Sequence, residues 1–120
     1  MTKRLVVCCD GTWNSLKQTA PTNVVQLYHA LAPAGDLPQA GFYHEGVGTR
    51  PWERITGGAF GFGLSRNVRD CYRFLVEHFE PGDEVFLFGF SRGAYTARST
   101  AGFVRNCGIL RSANVSKVDD

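Results

Sequence analysis

An α/β fold built on a parallel sheet is what this sequence predicts, and three observations predict it. Short strand-like runs alternate with stretches of helical period, in the order strand, helix, strand, helix, strand, helix. The first and third runs, Leu5-Val6-Val7-Cys8-Cys9 and Val85-Phe86-Leu87-Phe88, carry no polar alternation, as strands covered on both faces do. Each run ends in turn residues before the next helix begins. Right-handed crossovers between parallel strands then give a three-layer sandwich, with the first strand in the middle and the third at an edge.

After the first strand comes Asp10-Gly11-Thr12, a turn. Pro21-Thr22-Asn23 opens a helix to about Ala32, in which Val24, Leu27, Tyr28 and Leu31 share one face. Pro33-Ala34-Gly35-Asp36 stops it. Gly41-Phe42-Tyr43-His44 is the second strand. A glycine-rich loop from Glu45 to Gly61 comes next, of a length that is usually functional or disordered, and Trp52 and Phe60 give it something to pack with. From Leu64 the helical period returns: Leu64, Val68, Cys71, Tyr72, Leu75 and Phe79 form an apolar face, while Arg66, Arg69, Asp70, Arg73 and Glu77 form a solvated one. Pro81-Gly82-Asp83 turns the chain into the third strand. The last helix runs from Arg92 to about Asn106, with Ala94, Ala97, Ala101 and Val104 expected against the sheet and Gly108 as its stop. Residues 112–120 read as a polar tail on a single domain spanning 1–120.

Composition excludes several classes. Hydrophobic residues at 43% and charged residues at 20% fit a globular domain rather than a disordered chain. A net charge of +2, with the arginines dispersed, gives no footprint for nucleic acid. No apolar run has the length of a membrane span, and the first strand is too short for a signal-peptide core, so the expected compartment is the cytoplasm. Cys8, Cys9, Cys71 and Cys107 match neither a disulfide framework nor a zinc site and are expected to be buried thiols.

The chemistry concentrates at Gly89-Phe90-Ser91-Arg92-Gly93, a G-x-S-x-G between an apolar strand and a helix of small residues. A serine hydroxyl attacks acyl carbon only when a base takes its proton, and it must project from the carboxyl end of the sheet. The strand-to-helix turn does the projecting: it is so sharp that the serine sits strained, with Gly89 and Gly93 leaving room for the chain to double back. The helix N-terminus aims amides at developing negative charge, so the Arg92 N–H is one expected oxyanion donor. The second comes from the loop after an earlier strand, here the amide of Gly11 or Thr12, with Asp10 in support. The competing reading of Ser91 is a helix-capping serine.

Residues 92–120 hold no partners for such a serine. In this class of site the acid and then the histidine come later in the chain, yet beyond Ser91 stand only Asp119 and Asp120 and no histidine. His29 and His78 read as surface residues near helix ends, and His44 as a strand-terminal residue beside Glu45. Asp10-Gly11-Thr12 echoes the D-x-D-G-T of haloacid-dehalogenase-type phosphatases, but Cys8 stands where their nucleophilic aspartate would. Gly57 to Gly63 lacks a P-loop lysine, and no nucleotide, other cofactor or metal is expected.

Four stretches taken together, Cys9-Asp10-Gly11-Thr12-Trp13-Asn14, Tyr43-His44-Glu45-Gly46-Val47-Gly48-Thr49, Pro81-Gly82-Asp83-Glu84 and Gly89-Phe90-Ser91-Arg92-Gly93-Ala94, resemble a bacterial and fungal family of α/β-hydrolase domains. That family includes the catalytic domain of type VI secretion phospholipase effectors, and the resemblance covers essentially the whole chain. It implies the N-terminal portion of an α/β-hydrolase fold and a serine esterase or lipase with Ser91 as nucleophile. It also implies that Asp10-Gly11-Thr12 lies near the oxyanion site, and that the triad acid and histidine lie on later segments, without which the chain is inactive. The expected partners are an ester or lipid substrate and, for the oily edge of the third strand, a second copy or a later segment pairing with it. The alternative is a non-catalytic α/β interaction module.

Overall fold

Strand β1, Arg4–Cys9, is the middle of a three-stranded parallel sheet in the order β2-β1-β3, with β2 spanning Gln39–His44 and β3 Glu84–Gly89. This is the order expected from the sequence. A computed structural model describes residues 2–11, 14–16, 19–46 and 60–118, the side chains of 60–64 excepted. Thr12, Arg50, Trp52, Arg54 and most of the loop read from 45 to 61 lie outside the described residues, as does the Leu64 side chain.

Alternation along β1 splits the core in two. Leu5, Val7 and Cys9 face one side, with Cys71, Phe74, Leu75 and Ala97, and Val85 and Leu87 of β3 pack there too. Val6 and Cys8 face the other, with Val24, Leu27, Tyr28, Leu31 and Tyr43. The first side is covered by helices α2, Phe60–His78, and α3, Arg92–Cys107; the second by α1, Asn23–His29. The stripe expected on α1 is the one it buries. Helix α2 buries Phe74 and Val76 beyond its expected face, and it begins four residues earlier than the period of its side chains indicated.

Among the described elements, the short α1 packs mainly on β1 and β2. Beyond its reach, Phe86 and Phe88 of β3 remain 38% and 40% exposed on that face. The expectation of cover on both faces therefore holds for β1 and fails for β3. Arg4 shields part of Phe86, its guanidinium 5.8 Å from the ring centre.

Two further expectations are corrected. Helix α3 buries Gly93, Thr96, Ala97 and Thr100, while Ala101 is exposed. Both stripes have helical spacing, and the buried one was disguised by two threonines; the Thr100 hydroxyl donates to the Thr96 carbonyl at 2.7 Å, which satisfies it inside the core. Cys107, in the last turn of α3, is exposed, unlike the other three cysteines. Gly108 caps that helix at φ 70°, its amide donating to Val104. The segment expected as a tail continues as a 3-10 helix, Ser112–Lys117, against α2. Tyr72 pins the approach to it, donating to the Gly108 carbonyl at 2.8 Å and accepting the Leu110 amide at 3.1 Å.

Candidate active site

The three strands end flush. Cys9 is level with His44 on one side and Gly89 on the other, so Asp10, Glu45 and Phe90 all leave the same edge, the carboxyl edge where ligands bind in open α/β sheets. Asp10, Gly11, Ser91 and Arg92 thus lie at one edge of the sheet, although a long stretch of sequence separates the first two from the last two.

Ser91 links β3 to α3 with φ 54° and ψ −124°. Among the described residues, every other positive φ belongs to glycine. Such a conformation costs a non-glycine residue about 1–3 kcal/mol. Ser91 occupies the helix N-cap position but makes no capping hydrogen bond with its side chain, and it is exposed. The backbone around it closes tightly: the Gly93 amide donates to Phe90 at 2.8 Å and the Ala94 amide to Ser91 at 2.9 Å.

Both flanking glycines are required by backbone that cannot move aside. A Cβ on Gly89 would stand 2.6 Å from the Ala94 nitrogen and Cα, and one on Gly93 would stand 2.7 Å from the Cys9 carbonyl carbon. Gly93 also lies against the carbonyl of Asp10. The start of α3 therefore rests directly on the end of β1.

The turn after β1 abuts the same bend. A Cβ on Gly11 would meet the Phe90 ring at 2.9 Å and the Phe90 carbonyl oxygen at 3.1 Å. The turn is closed by the Asn14 amide donating to the Gly11 carbonyl at 2.9 Å, and is tied to the exit of β2 by Asp10 N–H to His44 and Gly46 N–H to Asn14, each 2.9 Å. The Gly11 amide, one of two expected oxyanion donors, donates to Asp10 Oδ1 at 2.9 Å.

Asp10 is 3% exposed and gathers three elements. Besides the Gly11 amide, its carboxylate accepts from the Thr22 hydroxyl at 3.0 Å and from the Tyr43 hydroxyl. Thr22 in turn accepts the Val25 amide at 3.2 Å as the N-cap of α1. Burial, and then the bond to Asp10, push the Tyr43 phenol well above its ordinary range, so it is a proton donor at any physiological pH. Thr22 and Tyr43 are site residues that sequence reasoning missed. The available signals were a threonine one residue before a helix and a polar-tipped ring in an apolar strand.

His44 is held away from the serine. Its Nε2 pairs with Asp70 of α2 at 2.8 Å and its Nδ1 with the Glu45 carbonyl at 2.8 Å. It sits on β2, with β1 between it and β3, so roughly 10 Å of sheet separates the two strands. His29 and His78 are exposed or nearly so, as expected.

Cys9 and Cys71 face each other beneath the turn, their sulfurs 3.6 Å apart, and both are buried. Their mutual hydrogen bond and burial hold the Cys71 thiol protonated, and burial pushes the Cys8 thiol up to about 11. Among the described residues no cluster of three or more metal-ligating side chains occurs, and no helix is long and apolar enough to cross a membrane.

Comparison with known proteins places the chain. Residues 3–120 match the family model described as "T6SS, Phospholipase effector Tle1-like, catalytic domain". The chain is also similar to the uncharacterized protein YEL023C of Saccharomyces cerevisiae, at 31% identity over 123 residues, covering 90% of this chain and 18% of that protein. It thus spans under a fifth of the length of the curated relative it matches. No solved structure matches it. With its family model matched from residue 3 to residue 120, this chain belongs to the Tle1-like phospholipase effector catalytic-domain family.

Proposed function

We propose that this chain is the nucleophile-bearing portion of a serine hydrolase of the α/β-hydrolase kind, acting on carboxylic esters of lipids. The backbone of Ser91 carries the reading. A strained φ of 54° at an exposed serine, between two glycines whose missing side chains let strand and helix fold back, serves no packing purpose. The exposure of Ser91 at the carboxyl edge of the sheet supports a hydroxyl offered to substrate. The family's phospholipase description supports a lipid ester as substrate.

In the proposed reaction Ser91 Oγ attacks the ester carbonyl carbon while a base takes its proton. The tetrahedral oxyanion is stabilised by the Arg92 amide at the head of α3 and by the Thr12 amide, since the Asp10 and Gly11 amides already donate to the His44 carbonyl and the Asp10 carboxylate. Collapse releases the alcohol and leaves an acyl-serine, which water then hydrolyses. His44 is engaged elsewhere, so the base is brought by a segment beyond these residues.

The test is covalent labelling. In protein expressed from its full natural reading frame, a fluorophosphonate probe should modify Ser91, and Ser91→Ala should abolish the adduct seen by mass spectrometry. An unmodified serine there would overturn the proposal. In the 120-residue chain alone, labelling should be slow and should accelerate with added imidazole acting as the base.

One observation favours a second reading, a non-catalytic interaction module. Phe86, Phe88 and Phe90 are 38%, 40% and 46% exposed along β3 and its exit, beside a strand edge that pairs with no other strand among the described residues. Under that reading the full-length protein takes no probe, and Phe88→Glu weakens association seen by sedimentation.

A further inference from the structure

We propose that Asp10 is a positioning residue, whose carboxylate fixes the turn after β1 against the Ser91 bend through Gly11, Thr22 and Tyr43. The inference rests on the reading of Ser91 as nucleophile and adds to it the device that sets the geometry of the neighbouring wall.

The carboxylate is nearly sealed from water, and among the described residues no cation pairs with it. Its compensation comes from hydrogen-bond donors on three separate elements: the turn, the N-cap of α1 and β2. A buried acid adds little to stability, since a well-packed apolar group of the same size does as well or better. What three convergent donors do provide is a fixed position.

That position is transmitted directly. The Asp10 carbonyl lies against Gly93, backbone on backbone with no side chain between to absorb a shift, and Gly11 lies against the Phe90 ring and carbonyl. The Cys9 carbonyl, one residue back, accepts the Phe90 amide at 3.0 Å. Displacement of the turn by a fraction of an ångström therefore moves the bend that holds Ser91, and reacting groups tolerate little of that. Tyr43 makes the idea testable. It sits on the far strand and bonds to the Asp10 carboxylate, so its hydroxyl affects Ser91 only through Asp10.

The experiment compares Tyr43→Phe, Asp10→Asn and the double variant in the full-length protein, with Tyr28→Phe as control, because the Tyr28 ring packs 5.7 Å from Tyr43. The readouts are the rate of fluorophosphonate labelling at Ser91, hydrogen exchange of the Gly11 amide, and thermal melting. Tyr43→Phe should slow labelling by about tenfold, the factor associated with one hydrogen bond, with a melting shift no larger than that of Tyr28→Phe. The double variant should be no slower than Asp10→Asn alone. Labelling at the wild-type rate in Tyr43→Phe, or additive losses in the double variant, would overturn the proposal. If wild-type Ser91 takes no probe, the hydrolase reading fails, and Gly11 decides the clamp by itself: faster exchange in both single variants supports it, and unchanged exchange sinks it. Should Asp10→Asn fail to fold, Thr22→Val against Thr22→Ser carries the test, because serine keeps the hydroxyl and should restore the rate.

Discussion

The carbonyl of Cys9 accepts the amide of Phe90 at 3.0 Å, and Gly93 lies against that same carbonyl. One backbone oxygen at the end of the central strand thus receives both sides of the serine bend. The head of α3 can descend this far only because residue 93 has no side chain.

Gly93→Ala should therefore destabilise the protein strongly. The clash is with backbone, which cannot rotate away, so about 3 kcal/mol or more is expected. Gly89→Ala, facing the backbone of Ala94, should behave alike. Gly102→Ala is the control: it lies within α3 with nothing near its missing Cβ, and alanine there should stabilise by about 0.5–1 kcal/mol. Urea denaturation of the three variants checks the contrast.

Ser91→Gly should raise stability while abolishing the labelling reaction. Glycine adopts a positive φ freely, so the variant recovers about 1 kcal/mol of the strain held at φ 54°. Ser91→Val should do the opposite, because a β-branched residue is poorly tolerated there. A serine whose removal stabilises the fold is one kept for chemistry. Equal or lower stability for Ser91→Gly in chemical denaturation would remove that argument.

The parts of this molecule that read directly from sequence are those with a local signal. The unbroken apolar run of β1 marked a strand buried on both faces, and the period of α1 put Val24, Leu27, Tyr28 and Leu31 on one face. The glycines around Ser91 announced a bend because only glycine fits where backbone meets backbone. What escaped was set by tertiary contact. Thr96 and Thr100 look like surface residues until an internal hydrogen bond hides one of their hydroxyls. Asp10 was noticed as part of a turn, but its link to Tyr43 spans 33 positions and leaves no periodic trace. The exposure of Phe86 and Phe88 depends on which elements reach that face of the sheet, and no local pattern within β3 records it.

Cysteine reactivity should separate the four thiols cleanly. Cys8, Cys9 and Cys71 are buried, and Cys8 and Cys71 are held protonated, whereas Cys107 is exposed. The thiolate is the reactive form, so iodoacetamide on the folded protein should modify Cys107 alone, even at about pH 9. In denaturant all four should react. Peptide mapping by mass spectrometry measures this; modification of Cys71 in the native state at the rate of Cys107 would contradict the burial of α2 against β1.

The amino-terminal strand has its own acid-sensitive latch. Asp83, in the turn before β3, accepts from Lys3 Nζ at 2.6 Å, from the Lys3 amide at 3.0 Å and from the Glu80 amide at 2.9 Å, and its side chain is sealed from solvent. Burial alone would raise its pKa, but these hydrogen bonds outweigh it and hold the carboxyl below its ordinary value near 3.8. A depressed folded-state pKa means that the contribution to stability is present in full above that ordinary value. It is lost as pH falls through the lower one. Acid should therefore loosen the start of β1 from the turn at Asp83. In Asp83→Asn the amide cannot carry the charge, so the variant should be less stable near neutral pH, and its stability should fall less steeply below about pH 4. Melting curves of the two proteins across roughly pH 2 to 7 should converge at the acid end; parallel curves over the whole range would show that Asp83 is not the group responsible.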